Sequence, residues 1–451
     1  MKRTALLFIL ALLCACQPTP EQEIVVNQGD RKLEQLVTET LAPEETPAPV
    51  LQYETPERIT ETYPLGIGTA QVVFDAPVTV PFGDRYTVYE VKKATPTMEQ
   101  ALRMLSAFFG SATLYQGQFQ ATKAYYAEML KYCDESEAVQ KRNREMADSG
   151  FGYTMQYFIK DNMDSAPLDA EEVPADLDAL AFPIYLHGWL SDTGIPYNVS
   201  FHNQSDLCEF IIAPEDLYIA DETLIEGGEY PGAPKGRKLD QVSIEREDAI
   251  AIADDFLARA GIPYMGLSQS ESVRAEYTNS LTGEHHSQGW WLTYHHTYNG
   301  ITGVNQKYSG TMSVELYQSA WPQETIYLYV DSAGIQWVRW FGMSEVVEQQ
   351  EKALEIAPFD AVLTSIKGRL KAENAYAEID GTRTVRVTNI ELGYCVIQKA
   401  GDATRGYTVP AWIISYIVEN ENQGGIQKYY YDFVLDAVTR AQIHTTTLPN
   451  Y

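Results

Sequence analysis

Residues 290–294 (WWLTY) and 412–416 (WIISY) share a Trp-x-x-x-Tyr pattern within runs that are typical of β-strands. Each run is followed by a strand that ends in an aspartate turn, in residues 329–335 (YVDSAGI) and 434–439 (VLDAVT). Aspartate favours turns because its side chain accepts a hydrogen bond from the backbone two residues further on. The sequence therefore predicts two segments of the same build in the second half of the chain.

An amphipathic helix is predicted before each segment, because apolar residues recur there at spacings of three and four. The apolar faces comprise Ala249, Ile252, Phe256 and Ala260 in the first helix, and Phe359, Val362, Ile366 and Leu370 in the second. We interpret the two segments as a divergent duplication, with residues 301–320 inserted in the first copy. The predicted fold class is α+β, with antiparallel sheets and helices packed on one face.

The N-terminus has the form of an export signal. A short positive start precedes the apolar run 5–13 (ALLFILALL), which is too short to cross a bilayer. Residues 13–16 (LCAC) resemble the lipobox of bacterial lipoproteins, with Leu13 three positions before Cys16. This resemblance implies removal of a signal peptide, residues 1–15, and acylation of the Cys16 thiol. The alternative is an ordinary secretory signal in which the cysteines are incidental.

Composition divides the remainder of the chain. Residues 16–62 contain six prolines and few large apolar residues, so we expect a disordered tether. An N-terminal α+β domain is predicted over residues 63–238, where a segment rich in Gly and Pro marks the boundary (226–238). The two duplicated units follow over residues 239–348 and 349–451.

Within the N-terminal domain we predict a helical stretch from Met98 to about Ala147, broken near Gly110 and Gly117. The strands predicted there cover residues 70–80, 86–91, 181–190, 199–201 and 208–212.

The duplicated units resemble PepSY-like domains of exported bacterial proteins, because each is a helix followed by a small antiparallel sheet ending in the aspartate turn. The whole chain resembles an uncharacterised lipoprotein family of Gram-positive bacteria and, more distantly, YycH/YycI-type proteins, which regulate a cell-wall sensor kinase. The resemblance implies no catalytic residue. YycH/YycI-type proteins usually keep a membrane-spanning helix, whereas this chain has the lipobox at Cys16, so no kinase partner is carried over.

The net charge and the absence of known catalytic motifs limit the classes of function to be considered. The chain has 62 Asp and Glu residues against 33 Lys and Arg, a net charge of −29. This balance argues against binding to nucleic acid phosphates or anionic lipid headgroups. No Gly-x-Ser-x-Gly, His-Glu-x-x-His or Gly-x-x-x-x-Gly-Lys motif occurs, so we assign no catalytic, metal-binding or cofactor-binding residue. The widely spaced Cys133, Cys208 and Cys395 are expected to be buried free thiols.

The histidine doublets at residues 285–286 and 295–296 are weak metal candidates. Neighbours in a strand point to opposite faces, so only one member of a strand pair reaches a common ion. We therefore interpret them as strand and loop residues.

The favoured function is a non-catalytic, lipid-anchored protein at the extracytoplasmic face of the cell membrane. It would bind a protein or peptide partner, with regulation of envelope processes as one expectation.

Two alternative functions stay open. One is a surface module that binds carbohydrate or peptide through exposed aromatics, of which Trp290, Trp291, Tyr294, Tyr298 and residues 429–431 are the candidates. The other is an envelope hydrolase whose site the sequence does not reveal. For the aromatics themselves, alternation between core and surface in antiparallel strands is the favoured interpretation.

Overall fold

The structure is a computed structural model, and it describes residues 53–66, 68–81, 86–135, 140, 144, 155–190, 196–204, 207–214, 217–218, 244–279, 283–303, 323–351, 354–374, 382–399, 401–422 and 425–443. The predicted signal peptide, Cys16, most of the tether and the boundary at 226–238 lie outside these residues. Of the helices described, none is both long enough and apolar enough to cross a membrane.

The described residues form five α-helices and one short 3-10 turn, Leu177–Ala179. The α-helices are α1 (Met98–Phe109), α2 (Lys123–Glu135), α3 (Met155–Ser165), α4 (Arg246–Arg259) and α5 (Phe359–Glu373).

The start and end of α1 follow from its terminal residues. Thr97 and Gln100 form a capping box, in which each side chain accepts a hydrogen bond from the other's backbone N–H. The helix ends at Gly110, whose φ of 60° suits glycine. The break near Gly110 is confirmed, but a strand, Leu114–Gln116, intervenes before α2, and α3 was not predicted.

Eighteen strands are described. They are β1 (Arg58–Pro64), β2 (Gln71–Thr79), β3 (Tyr89–Lys93), β4 (Leu114–Gln116), β5 (Ile184–Trp189), β6 (Pro196–Gln204), β7 (Leu207–Pro214), β8 (Leu217–Tyr218), β9 (Met265–Asn279), β10 (Gly283–Tyr298), β11 (Ile301–Thr302), β12 (Thr325–Asp331), β13 (Gly334–Phe341), β14 (Ser344–Gln349), β15 (Thr382–Lys399), β16 (Asp402–Asn422), β17 (Gly425–Asp436) and β18 (Gln442–Ile443).

These strands form two sheets. Sheet I has eight strands in the order β1-β2-β15-β16-β17-β18, with β3 paired to β16 and β14 paired to β3. Sheet II has ten strands in the order β4-β5-β6-β7-β13-β12-β10-β9-β8, with β11 paired to β10. Every strand pairing is antiparallel except that of β2 with β15. The protein is therefore of mixed α+β class with mostly antiparallel sheets, as predicted.

Sheet I contains strands from the predicted N-terminal domain and from both predicted C-terminal units. Its strand β2 comes from the predicted N-terminal domain and lies beside β15, with Gln71 opposite Thr384. Every second residue of β2 is buried, including Val72 and Phe74, and these side chains share one core with Val385 of β15. The position of β2 beside β15 depends on burial against a strand that is distant in the sequence. The alternating pattern of β2 does not specify which strand that is.

Ordered structure begins before Tyr63, the residue at which we expected it. Strand β1 starts at Arg58, and the Tyr53 ring lies 5.8 Å from that of Trp412. The hydroxyl of Tyr53 also donates a hydrogen bond to the carbonyl of Ala357. The C-terminal end of the predicted tether, residues 53–62, is thus packed against the second predicted unit.

The helices cover different parts of the core. Helices α1 and α4 share the core of sheet II, and Nη1 of Arg259 donates to the Ala107 carbonyl at 2.8 Å. Helix α5 packs on sheet I through Phe359, Val362, Ile366 and Leu370, the apolar face that the sequence predicts.

The predicted face of α4 is confirmed at three of its four positions, because Ile252 is only half-buried. Apart from β11 and β14, which occur only in the first unit, the two predicted units have the same order of elements: α4 precedes β9-β10-β12-β13, and α5 precedes β15-β16-β17-β18.

Candidate functional site

A buried carboxylate, that of Glu324, lies where the two sheets meet. Glu324 is 1% exposed and directly precedes β12 of sheet II. Close by, Tyr298 at the end of β10 packs its ring 5.2 Å from Tyr89 of β3 and 5.6 Å from Tyr394 of β15. The chain also crosses here from β13 of sheet II to β14 of sheet I, which begins at Ser344. Residues from both sheets therefore surround Glu324.

Four side chains contact this carboxylate. Together with Glu324 they form a set that we call the Glu324 cluster: Glu324, His296, Ser344, Trp340 and Tyr264. Oε2 of Glu324 lies 2.7 Å from Nδ1 of His296 and accepts from the Ser344 hydroxyl at 3.1 Å. Oε1 accepts from Nε1 of Trp340 at 3.1 Å and from the Tyr264 hydroxyl at 3.4 Å. A buried carboxylate needs such partners, because an unpaired buried charge is costly. The cluster thus joins β10, β13 and β14 around one acceptor.

The imidazole of His296 is held between two tyrosine rings. Its centroid lies 4.6 Å from the Tyr264 ring and 4.4 Å from the Tyr298 ring, which it stacks on at an angle of 10°. Facing a carboxylate, Nδ1 carries the hydrogen. Burial, reinforced by the nearby Glu324 charge, raises the pKa of both Tyr264 and Tyr298, so their hydroxyls stay protonated.

His295, the neighbouring residue, has different partners. Its Nδ1 lies 3.1 Å from Oγ1 of Thr325 and 3.3 Å from the carbonyl oxygen of Glu324. Its Nε2 is buried and has no hydrogen-bond partner in the part of the chain that the structure describes. Burial lowers the pKa of His295 to about 4, so the imidazole is neutral near pH 7.

The two imidazoles do not converge on a metal position. His296 contacts the side chain of Glu324, whereas His295 contacts its backbone. Over the described ranges, no group of three or more His, Cys, Asp or Glu side chains is arranged to hold a metal ion. The other doublet, residues 285–286, lies in β10.

The hydrogen-bond arrangement of the Glu324 cluster differs from that of a catalytic triad. In a serine hydrolase the histidine lies between the nucleophile and the acid. Here the acid lies in the middle, since Ser344 and His296 both contact Oε2 of Glu324. The serine hydroxyl thus donates to the carboxylate and not to the imidazole. The geometry ties two sheets together but does not activate Ser344.

A largely buried ion pair crosses sheet II. The guanidinium of Arg339 in β13 places Nε and Nη2 each 2.6 Å from Oε1 of Glu209 in β7. Nε2 of His202 lies 3.7 Å from the other oxygen of Glu209, and the Arg339 guanidinium lies over the Phe341 ring. Such a pair holds the register of neighbouring strands, because its charge-assisted hydrogen bonds are directional.

The aromatic residues proposed as an exposed platform are mostly core residues. Trp291, Tyr294 and Tyr298 are buried, and Trp290 is half-buried with its Nε1 donating to the Ile244 carbonyl at 3.0 Å. The reason is that β10 is an inner strand of sheet II, with α4 packed against it. These four residues therefore do not form a surface platform. In the run 429–431, Tyr429 is 43% exposed.

The cysteines fall into two groups. Cys208 and Cys395 are buried and form no disulfide among the described residues, as expected, and burial raises the pKa of the Cys208 thiol to about 12. The side chain of Cys133 lies outside the part of the chain that the structure describes. Cys16, the predicted lipidation site, lies outside the described residues.

Most members of the Glu324 cluster could not be recognised from the sequence. The sequence draws attention to His296 through its doublet, but no motif marks Glu324, Ser344, Trp340 or Tyr264. Glu324 is one of 62 acidic residues, and its local signal is only that it precedes a run of buried strand residues. The contacts join positions up to 60 residues apart, between Tyr264 and Glu324, and no local spacing indicates a contact over that distance.

No protein-family model matches this chain, and neither does any curated protein. Among solved structures, the chain is similar to an uncharacterized protein from Eubacterium rectale ATCC 33656, whose crystal structure has 1.45 Å resolution. The two are 13% identical with a TM-score of 0.46, over 86% of this chain and 94% of that one.

Proposed function

We propose that the mature protein is a non-catalytic surface lipoprotein that is anchored through Cys16 and binds a protein or peptide partner. The observation that carries this proposal is the signal followed by the lipobox at residues 13–16. Two acyl chains anchor a protein durably, whereas one alone gives marginal binding. Residues 16–52 would then act as the tether between the membrane and the folded part.

We further propose that the segments 239–348 and 349–451 are PepSY-like units with their helices on one face of the sheets. The shared order of elements supports this, because each segment has one helix followed by an antiparallel meander. The resemblance to PepSY-like domains and, distantly, to YycH/YycI-type proteins motivates a role in regulating envelope processes.

The anchor is tested with a clickable fatty-acid probe in the producing bacterium. Cys16→Ala should abolish labelling, because only this thiol matches the acylated position. Cys14→Ala is the matched control and should keep the label. Labelling of Cys16→Ala would overturn the anchor.

Partner binding is tested separately by chemical cross-linking on intact cells. The expected result is a defined adduct with an envelope protein that forms with the wild type and weakens when the anchor is removed. Absence of any adduct under conditions that cross-link a known surface complex would overturn partner binding.

A second candidate function is an envelope hydrolase, and the contact between His296 and Glu324 favours it. Nε2 of His296 makes no hydrogen bond in the described part of the chain, so it could accept a proton if a substrate reached it. Release of peptides or sugars from purified cell wall would support this function. The release would have to disappear in His296→Gln while the thermal unfolding midpoint stays within a few degrees.

A further inference from the structure

The strand edges of the two sheets differ in how well they are protected. An unprotected edge is a template for pairing with another chain, and natural edges are usually short, charged or interrupted by proline. The edge strands β4 and β8 of sheet II have three and two residues. In sheet I, β1 carries Arg58, Glu61 and Pro64, and β14 carries two glutamates.

Strand β17 of sheet I is protected less. Its partner β18 pairs only with Val434 and Leu435, and no other described strand lies beside the outer edge of residues 425–431. This edge carries Ile426, which is 60% exposed, and Tyr429, which is 43% exposed. Among strand residues whose side chains the structure describes, Ile426 is the most exposed large apolar one.

The two faces beside this edge have different chemistry. On the face covered by α5, Tyr431 stacks on Tyr416 with 5.4 Å between ring centroids, and Tyr429 lies two residues before it. The Tyr416 hydroxyl donates to Glu373 at the end of α5 at 2.9 Å. A strand added beside β17 would therefore place alternate side chains next to an aromatic surface.

The opposite face is polar. Here Glu421 of β16 is exposed and lies opposite Ile426, and Glu419 lies opposite Lys428. Glu419 is shared between Arg386 at 3.2 Å and Lys428 at 3.5 Å, whereas the exposed Glu421 makes no ion pair with any described residue. The net charge of −29 adds a long-range preference for a basic ligand.

We infer that the outer edge of β17 binds an extended peptide of the partner, with alternating basic and apolar residues, as an added strand. This rests on the proposed partner-binding function and specifies its site. Backbone hydrogen bonds to β17 provide affinity. The alternate side chains meet either the aromatic face or the polar face, where Ile426 and the Lys428–Glu419 pair lie on the near side of Glu421. A second copy of the chain is the less suitable occupant, because two chains of charge −29 repel each other.

The probe is a ten-residue peptide of alternating Lys and Val, capped at both ends and added to the full chain in detergent micelles. Two matched peptides serve as controls: one alternates Glu and Val, and the other has proline at two central positions. We expect at least tenfold weaker binding of both controls, since one reverses the charge and the other lacks backbone donors. Hydrogen exchange should show new protection in residues 425–431.

Two variants test the position. Ile426→Lys and Tyr429→Lys should each weaken the Lys–Val peptide at least threefold, because each places a like charge at the edge. Val347→Lys on β14 is the matched control, since Val347 is also 43% exposed, and it should bind as the wild type does. Unfolding curves establish that all three variants remain folded.

Several results would overturn the inference. These are peptide protection at another edge, equal binding of the Glu–Val peptide, or a dimer protected at β17 without peptide. Protection of β17 in the free monomer that disappears on deleting residues 444–451 would identify the chain's own end as the occupant, and would also overturn it.

The failure of this inference can be distinguished from the failure of the proposed function. If a partner cross-links on cells but the peptide gives β17 no protection, only this inference fails. If the peptide protects β17 but no partner is captured, the proposed function fails instead.

Discussion

Trp290 and Trp412 occupy the same register position in two separate meanders. Trp290 of β10 lies opposite Val330 of β12, and Trp412 of β16 lies opposite Leu435 of β17. In both cases the next residue of the facing strand is the turn aspartate, at positions 331 and 436. The correspondence supports a duplication, because a one-residue shift in register would reverse the face of every side chain.

The surroundings of the two indoles are related but not identical. Both lie near the start of the covering helix: Trp290 donates to the carbonyl of Ile244, and the Trp412 ring lies 5.3 Å from that of Phe359. Nε1 of Trp412 is buried without a hydrogen-bond partner among the described residues. The two indoles thus share a register position and differ in their contacts.

The tyrosine of each Trp-x-x-x-Tyr pattern should stabilise the fold through an equivalent hydrogen bond to its covering helix. The Tyr294 hydroxyl donates to Asp254 of α4, and the Tyr416 hydroxyl donates to Glu373 of α5, both at 2.9 Å. We expect Tyr294→Phe and Tyr416→Phe each to lower the free energy of unfolding by about 1.5–3 kcal/mol, as for hydrogen bonds to charged groups. Urea unfolding measures this. The exposed Tyr429→Phe is the control, and equal values for all three variants would contradict the prediction.

Gly289 should not tolerate a side chain. A Cβ at this position would clash with the carbonyl oxygen of Val330 on the facing strand. We expect Gly289→Ala to destabilise the protein by roughly 1–3 kcal/mol through overpacking. Gly368→Ala is the matched control, because a Cβ at this position in α5 would meet open space and alanine is the better helix former by about 0.5–1 kcal/mol. Thermal unfolding should therefore give shifts of opposite sign.

Loss of the Glu324 charge should weaken the junction of the sheets. Glu324→Ala leaves His296, Trp340 and Ser344 without their shared acceptor, and we expect a loss of about 3 kcal/mol or more. Glu348→Ala on the exposed part of β14 should stay within about 0.5 kcal/mol of the wild type. Unfolding followed by tryptophan fluorescence measures both. A Glu324→Ala protein as stable as the control would show that the cluster contributes no net stability.

Acidification should destabilise the protein through His295. Its pKa is about 4 in the folded state against 6.5 ordinarily, so the unfolded chain binds the proton first as pH falls. The contribution of neutral His295 to stability is complete above pH 6.5. It is lost progressively towards pH 4, by about 3 kcal/mol in total.

The measurement is the free energy of unfolding at several pH values. The profile of His295→Gln should be flatter than that of the wild type between pH 6.5 and 4. Parallel profiles would show that His295 does not cause the dependence.

The sequence determined those features that depend on local periodicity. The face of α5 formed by Phe359, Val362, Ile366 and Leu370 was predicted and is buried, because a spacing of three and four places residues on one side of a helix. The end of α1 at Gly110 likewise follows from a residue suited to a positive φ. The α+β class follows from the same local signals, whereas strand β9 was not predicted.

Only the tertiary structure decided which strands are neighbours. Gln71 lies opposite Thr384 and Tyr89 lies opposite Gln349, so sheet I combines segments from both ends of the described chain. The alternation of β2 indicates that one face is buried but not what it is buried against. The Glu324 cluster has the same origin, because its hydrogen bonds exist only once β10, β13 and β14 are placed together. Local propensity acts within a few residues, whereas core packing and buried hydrogen bonds select among distant partners.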